Sequence, residues 1–282
     1  MILKAYAKIN IALDVVGKRE DGYHLLRMIM QTVDLYDIVD VNENEGSEDI
    51  VITCDNPFIP TDSRNLCYKA AKLFKERYNL NSGVKINITK KIPMSAGMAG
   101  GSTDAAAVLK GMNEVFNINA TEQELINLGL QIGADVPYCI KGGTALCEGI
   151  GEIIKPLRPF KNYILVIVKP PFGVSTKEVY GMLDIKRIYR HPRVNNIIHE
   201  MKSGNIKYVS ENMKNVLENV TIRKHPLIKG IKESMMNLGA LGALMSGSGP
   251  TVFAFFEDMV KAQSCYDTMK ERYRDVYITR TI

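Results

Sequence analysis

The sequence predicts an α+β fold organised as two lobes. The chain has 282 residues, which is at or above the length where one hydrophobic core stops growing. The N-terminal half shows strand patterns before helical ones, whereas beyond residue 156 the order becomes strand, helices, strands, helix and strand. We therefore predict an N-terminal domain over residues 1–156 and a C-terminal domain over 157–282.

The N-terminal strands are predicted from runs of β-branched and aromatic residues bounded by turn residues. The runs lie at 2–7, 9–16, 28–35, 38–42 and 49–54, with a loop at 17–22. The spacing of Leu66, Ala70, Leu73 and Phe74 then predicts an amphipathic helix over Arg64–Tyr78. Alternating apolar residues over Val84–Thr89 predict a further strand.

A glycine-rich segment separates this strand from the helices of the same domain. Apolar residues at helical spacing predict a helix over Ala105–Phe116. Thr121 and Glu124 form a capping-box pattern, which predicts a helix ending near Gly133. Short strands are expected at 142–147 and 152–155, and Asp135 is expected in a turn before a short strand.

The C-terminal half begins with a strongly apolar strand pattern, Tyr163–Lys169, which ends at two prolines. Helices are predicted at 176–183, 193–202, 206–217 and 226–238. Short strands at 243–245 and 251–256 flank Ser246–Pro250, and a helix over 259–273 precedes a last strand over 276–281.

Composition excludes several classes of protein. Apolar residues make up 46% of the chain, which is too many for a mainly disordered protein. The net charge of 36 − 31 = +5 suits anionic substrates but does not indicate nucleic acid. Five scattered cysteines without a C-x-x-C pair support neither a zinc nor a redox motif, and they favour a reducing cytoplasm. We identify no signal peptide and no membrane span.

Two glycine-rich loops are the first candidates for a binding site. Pro93–Asp104 lies between a strand and a helix, and it matches neither the P-loop pattern nor the dinucleotide pattern. Free amides at the helix start would suit a polyphosphate, although a tight turn with glycines for packing explains the pattern equally well. Ser246–Pro250 alone is best explained as a hairpin loop, but two such loops could face one anion.

Four further features could carry chemistry, and each has a simpler explanation. Lys8 interrupts an apolar run. It either faces solvent or is paired with a carboxylate inside a cleft. Asp135 is a turn residue or a general base. Tyr23 and His24 could stack on and hydrogen-bond a base, or be incidental. The basic cluster at 186–193 is a solvated face or a nucleic-acid surface.

The order of these motifs resembles the GHMP kinases. Pro93–Ala107 is similar to their phosphate loop, and Met245–Thr251 resembles their C-terminal glycine motif. Ala7–Asn10, Arg19–His24 and Gly133–Pro137 resemble the members that phosphorylate a polyol linked to cytidine diphosphate. The matching residues run from 7 to 251 in the family's order, so the resemblance covers nearly the whole chain.

The resemblance implies a fold, a reaction and a set of site residues. The N-terminal domain would resemble domain 2 of ribosomal protein S5, and the C-terminal domain would be ferredoxin-like. ATP would be the phosphoryl donor, with Mg²⁺ neutralising its phosphates. The implied catalytic pair is Lys8 and Asp135, and the implied substrate contacts are Asn10, Tyr23, His24, Thr176 and Tyr180. The implied phosphate loop consists of Pro93, Met94, Ser95, Ala96, Gly97, Met98, Ala99, Gly100, Gly101, Ser102 and Thr103.

The loop departs from the family pattern at Ala99, which replaces a glycine. We therefore expect that this position does not require a positive φ. No carboxylate ligand for a metal is identifiable from the motifs. The alternatives are another GHMP kinase, acting on homoserine or mevalonate, and a nucleotide-binding protein without turnover. A nucleic-acid binder is the weakest alternative, because it rests on residues 186–193 alone. Oligomeric state is not predictable from these patterns.

Overall fold

The computed structural model describes residues 1–282 as eleven strands, ten α-helices and one short 3₁₀ helix. Its contacts divide the chain into two compact units. The first unit comprises residues 1–7, 35–92 and 99–142, and the second comprises 8–34, 93–98 and 143–282. The chain therefore passes between the units several times. The linear boundary between residues 156 and 157 stays a prediction.

The first unit packs three α-helices and a short fourth one with the ends of two long strands. Its elements are the start of β1 (Ile2–Lys18), the end of β2 (His24–Asn44), β3 (Ile50–Cys54), α1 (Leu66–Tyr78), β4 (Gly83–Thr89), α2 (Gly100–Val115), α3 (Glu122–Ile132) and α4 (Val136–Lys141). Strand β4 runs antiparallel to β2, from Ile38 opposite Thr89 to Asn44 opposite Gly83. Strand β3 runs parallel to β4 on its other side.

The core of the first unit forms because each element presents apolar residues at its own period. Val84, Ile86 and Ile88 alternate along β4, and all three are buried. They belong to one hydrophobic cluster with Phe74 of α1 and Val108 of α2. Contacts between α1 and α2 are among the most extensive in the chain. Helix α2 is therefore packed against the core along its length.

The second unit contains the rest of β1 and β2 and every element after residue 142. These elements are β5 (Thr144–Gly149), β6 (Ile153–Pro156), β7 (Ile164–Lys169), α5 (Thr176–Met182), a 3₁₀ helix (Ile185–Arg187), α6 (Val194–Ser203), α7 (Ile206–Asn212), β8 (Lys214–Asn215), α8 (Glu218–Lys224), α9 (Leu227–Asn237), β9 (Gly242–Met245), β10 (Val252–Phe256), α10 (Met259–Lys270) and β11 (Asp275–Arg280). Four of the strands form an antiparallel sheet in the order β11-β7-β10-β9. Strand β5 pairs antiparallel with β2, and β8 pairs parallel with β1.

Several predicted elements differ from those observed. The predicted strands at 2–7 and 9–16 merge into β1, and those at 28–35 and 38–42 merge into β2. Residues after Asp135 form α4 rather than a short strand, because Pro137 occupies the first turn, where a helix needs no amide donor. Helix α2 begins at Gly100, five residues before the predicted start.

The predicted helix over 206–217 is interrupted, and α7, β8 and α8 stand in its place. The side-chain amide of Asn215 donates to the carbonyl oxygens of Met245 (2.8 Å) and Gly247 (2.7 Å), and its oxygen accepts from the Leu217 amide (3.0 Å). These tertiary hydrogen bonds override the local helical pattern. None of the ten α-helices is both long enough and apolar enough to cross a bilayer.

Candidate active site

Strand β1 carries two polar residues that are almost completely buried. Lys8 and Asn10 lie on the same face of the strand, since side chains two residues apart point the same way, and they are 4% and 0% exposed. The Lys8 ammonium donates to Asn10 Oδ1 at 2.8 Å. The Lys8 backbone amide donates to the carbonyl oxygen of Met98 at 3.2 Å. Strand β1 is thereby attached to the first glycine loop at the position of a buried cation.

The two glycine-rich loops are in direct contact. The Ser246 hydroxyl donates to the carbonyl oxygen of Gly97 at 3.0 Å. Gly97 has φ = +70°, and a Cβ added there would overlap the Ser246 carbonyl oxygen and lie 3.1 Å from Gly249 N. A Cβ added to Gly247 would lie 2.9 Å from Gly97 O. The loops fit together only because glycines stand where they meet.

Helix α2 begins without a side-chain cap, which leaves its first amides available. It is 16 residues long and has no acidic residue in its first turn. Its N-cap residue, Ala99, offers no side-chain acceptor, whereas Asn65 and Thr121 cap α1 and α3. An uncapped helix start with the positive end of the helix dipole suits the phosphates of a nucleotide.

The expectation about Ala99 is wrong. Ala99 has φ = 60° and ψ = 27°, so it adopts the left-handed conformation that glycine would provide more easily. The Thr103 amide donates to the Ala99 carbonyl oxygen at 2.9 Å, which closes the first turn of α2 around this residue. An alanine can occupy this conformation at a cost of about 1–2 kcal/mol when its surroundings impose it.

His24 and Tyr180, two of the implied substrate contacts, are brought together. Their ring centroids are 5.2 Å apart, with the planes inclined by 34°. Burial lowers the pKa of His24 and the charge of Lys18 lowers it further, so the imidazole is neutral at neutral pH. A neutral imidazole offers one donor and one acceptor. The side chain of Tyr23 is exposed, and its role stays a prediction.

The start of α5 and the loop before it contact the two glycine loops. The hydroxyls of Thr176 and Ser248 share a hydrogen bond of 2.8 Å. A Cβ added to Gly173 would lie 2.9 Å from Cβ of Ser95, so the loop before α5 packs closely on the first glycine loop. The helix that presents Tyr180 is therefore tied to the loops that would hold phosphate.

Asp135 lies in the first unit, directly before α4. Its carbonyl oxygen accepts from the Cys139 amide at 3.0 Å, which starts the helix, while its side chain does not cap it. The residue is partly exposed, and the next three residues are buried. Burial of those residues fixes the backbone that carries this carboxylate.

The sequence analysis missed a buried ion cluster formed by Asp37, Lys90 and Asp104. Asp37 interrupts an apolar strand pattern and Asp104 precedes a run of alanines, but neither pattern indicates that these carboxylates are buried. Residues 186–193 form the 3₁₀ helix and a following coil, and the His191 Nδ1 atom lies 2.7 Å from Asp14 Oδ1. The segment is thus partly anchored to β1.

Comparison with known proteins first defines the class. Residues 65–143 match the GHMP kinases N terminal domain, and residues 197–275 match the GHMP kinases C terminal domain. The glycine loop and the start of α2 lie inside the first match, and the second glycine loop lies inside the second.

More specific matches cover the whole chain. It is 64% identical over 282 residues to a 4-diphosphocytidyl-2-C-methyl-D-erythritol kinase of Clostridium botulinum, with 100% of both chains covered. A crystal structure of 4-(cytidine 5'-diphospho)-2C-methyl-D-erythritol kinase superposes with a TM-score of 0.84 at 30% identity, covering 100% of this chain and 99% of the other. The chain belongs to the 4-diphosphocytidyl-2-C-methyl-D-erythritol kinase family, within the GHMP kinases.

A more distant match shows how widely the fold is shared. The crystal structure of a homoserine kinase from Cytophaga hutchinsonii has a TM-score of 0.78 at 20% identity, and the match covers 99% of this chain and 94% of the other. At that identity the likeness concerns the fold alone. The predicted two-lobed α+β GHMP kinase fold is confirmed by the family matches and by the structure.

Proposed function

We propose that this protein transfers the γ-phosphoryl group of ATP to the 2-hydroxyl of 4-diphosphocytidyl-2-C-methyl-D-erythritol, a step of the non-mevalonate route to isoprenoid precursors. The observation that carries the proposal is 64% identity to a kinase of that name over the whole of both chains. The proposal includes the cytoplasm as the place of the reaction. It involves small-molecule partners, with neither nucleic acid nor membrane.

The nucleotide end of the proposed site is the loop from Pro93 to Thr103. Two features support a polyphosphate there: the uncapped start of α2 and the close meeting of Gly97 with Ser246. Mg²⁺ bound with ATP would neutralise the phosphates. The structure contains no cluster of three or more His, Cys, Asp or Glu residues that could hold a metal ion. The phosphates of the bound nucleotide would supply ligands to the ion, as is common for Mg²⁺.

The proposed chemistry uses Asp135 as general base and Lys8 as a fixed cation. The Asp135 carboxylate takes the proton of the 2-hydroxyl while that oxygen forms a bond to the γ-phosphorus of ATP. The bond between the γ-phosphorus and the bridging oxygen breaks, and ADP leaves. The hydrogen bond to Asn10 holds the Lys8 ammonium in place, so its charge can stabilise the transferred group without rearrangement.

The substrate end of the proposed site recognises the cytosine. The neutral imidazole of His24 would form hydrogen bonds with the edge of the cytosine. Tyr180 would pack on one face of the cytosine and Tyr23 on its other face. Asn10 would contact the polyol near the reacting hydroxyl. Thr176 would contribute a polar contact, and its hydrogen bond to Ser248 means that this contact is coupled to the second glycine loop.

A substrate panel with radiolabelled ATP tests the proposal. The purified protein, ATP and Mg²⁺ are incubated with the cytidylyl polyol, homoserine or mevalonate. We expect transfer to the cytidylyl polyol at a kcat/KM at least about 100-fold above the other two, since loss of a base-recognition site typically removes several kcal/mol. Preference for homoserine or mevalonate would support the other GHMP kinases. ATP binding without transfer to any alcohol would support a protein without turnover.

The role of Asp135 is tested separately with Asp135→Asn, which preserves shape and removes the base. We expect kcat to fall by about 10²–10⁴-fold while the Kd for ADP changes less than threefold, because general-base catalysis contributes a factor of that size. Asp34→Asn, at an exposed position of β2, is the matched control and should behave as the unmodified protein. Near-normal turnover of Asp135→Asn would eliminate this residue as the base.

A further inference from the structure

The two ends of the phosphate loop are joined by a buried ion cluster. The loop leaves β4 at Lys90 and enters α2 ahead of Asp104. The Lys90 ammonium lies 2.6 Å from Asp104 Oδ2 and also pairs with Asp37 of β2. The three side chains are only 6%, 5% and 0% exposed, in the order Lys90, Asp104 and Asp37. The ion pair between Lys90 and Asp104 thus closes a loop of thirteen residues, 91–103, at its base.

The Asp37 side chain also forms hydrogen bonds with the backbone at the start of the loop. While one carboxylate oxygen pairs with Lys90, the other accepts the backbone amides of Lys91 and Ile92, the latter at 2.8 Å. Charge-assisted hydrogen bonds of this kind are shorter and stronger than neutral ones. Because the end of β2 that carries Asp37 belongs to the first unit, the start of the loop is held against a strand of that unit.

The cluster also contacts the first residue of α2. A Cβ added to Gly100 would lie 3.5 Å from the Lys90 ammonium nitrogen and 3.2 Å from Cγ2 of Ile92. The ammonium therefore packs beside the helix start, where the uncapped amides lie. The position of Lys90 can therefore influence the packing at Gly100 and the direction of those amides.

The cluster is poorly suited to stabilising the fold. It buries two carboxylates with one ammonium, and Asp104 Oδ1 is buried without a hydrogen-bond partner. Burial raises the pKa of Asp104 to about 7, although Lys90 opposes this shift. Buried ion pairs often stabilise a protein less than apolar residues of similar volume would. The cluster is therefore better explained by its position at both ends of the loop than by a contribution to stability.

We propose that Lys90, held between Asp37 and Asp104, is a positioning residue for nucleotide binding that keeps the two ends of the phosphate loop together. The proposal rests on the proposed function, since it assumes that residues 93–103 bind ATP. It assigns no contact between Lys90 and the reacting atoms. Its effect is on the affinity for nucleotide rather than on recognition of the alcohol substrate.

The test compares Lys90→Met and Asp104→Asn with a variant that weakens the same unit elsewhere. Val84→Ala, a buried residue at the far end of β4, is that control. We expect Lys90→Met to raise the Kd for ADP, measured by calorimetry, at least tenfold, and Asp104→Asn to raise it about three- to tenfold. The KM for the alcohol substrate should stay within twofold in both variants, and Val84→Ala should leave the Kd for ADP within twofold.

The pH profile provides a second readout that a purely structural role would not move. The groups around Asp104 are Lys90, Asp37, Cys54 of β3 and Cys67 of α1. Burial raises the pKa of both thiols above their ordinary value, so they do not titrate between pH 6 and 8. The affinity of the unmodified protein for ADP should therefore fall below about pH 7, as Asp104 takes up a proton. The ratio of the ADP affinity of the unmodified protein to that of Asp104→Asn should also decrease as the pH falls below about 7. Because ADP itself titrates in the same way with both proteins, its own titration cancels in this ratio.

Three results would overturn the proposal. One is ADP affinity within twofold of the unmodified protein in both folded variants. Another is an equal loss of affinity in Val84→Ala, which would indicate general weakening. The third is a ratio that does not change between pH 6 and 8. If instead no alcohol is phosphorylated while the ADP measurements behave as expected, the proposed reaction fails and the positioning role stands.

Discussion

Replacing Gly97 with alanine tests whether the two glycine loops must meet as they do. Gly97 has φ = +70°, where an L-residue is strained. The added Cβ would overlap the Ser246 carbonyl oxygen and lie 3.1 Å from both Gly249 N and Gly249 O. All of these neighbours are backbone atoms, so no side chain can rotate away to make room. The loops must separate to accept the methyl group.

The expected loss follows from the two interactions affected. The left-handed conformation costs an alanine about 1–2 kcal/mol relative to glycine. Separation of the loops breaks the hydrogen bond from the Ser246 hydroxyl to Gly97 O, which is worth about 1 kcal/mol. We therefore expect Gly97→Ala to lower the free energy of unfolding by about 2–3 kcal/mol and to weaken ATP binding.

Gly101→Ala is the matched control in the same loop. A Cβ there would meet only Cδ1 of Leu66, at 3.7 Å, and the residue lies in α2 without a positive φ. Alanine in a helix is favoured over glycine by about 0.5–1 kcal/mol. Urea unfolding of both variants, followed by circular dichroism, gives the comparison. A Gly97→Ala variant within about 0.5 kcal/mol of the unmodified protein would refute the reasoning.

Three further predictions concern stability. Ala99→Gly should raise the free energy of unfolding by about 0.5–1 kcal/mol, because glycine adopts the left-handed conformation without the strain that alanine has there. Ala96→Gly, at a buried position without a positive φ, is the control and should lower the free energy of unfolding. Urea titration measures both changes. The pKa of Asp104 is about 7 in the folded protein and returns to its ordinary 3.8 on unfolding, so the stabilisation by this residue decreases as pH rises between those values. The Asp104→Asn variant should lack this decrease. If thermal unfolding gave the same dependence of stability on pH for both proteins, the prediction would be contradicted. Thr121→Ala removes the capping box of α3 and should lower the free energy of unfolding by about 1 kcal/mol, whereas an unchanged urea midpoint would contradict that role.

Elements with a strong local signal were predictable from the sequence. Helix α1 appears within two residues of its predicted start, and the capping box at Thr121 and Glu124 forms as predicted. Strand β7 ends at the two prolines as expected. In each case the apolar period and the boundary residues favour the same element, so tertiary contacts have no local preference to override.

Elements whose conformation depends on distant residues were not predictable. Ala99 adopts a positive φ although its own side chain disfavours it, because the turn into α2 around it imposes this conformation. The break between α7 and α8 depends on hydrogen bonds from Asn215 to residues about thirty positions away. Contact between Gly97 and Ser246 joins residues 149 positions apart. Local patterns contain no information about such partners.

Two buried charged residues, Lys8 and Asp37, differ in how far their burial is predictable from the sequence. A lysine inside an apolar run is rarely buried without a partner, and Lys8 is buried beside Asn10. Asp37 interrupts a similar run, but alternation in a strand allows a charge on a solvent face, so its burial could not be inferred. Its burial becomes understandable only when Lys90 and Asp104 are seen to converge on it from the two ends of one loop. A group of buried charges that adds little to stability fits the proposed role of positioning the loop between Lys90 and Asp104. An Asp104→Asn variant that is more stable above pH 7 and yet binds ADP less tightly would show those two effects acting in opposite directions.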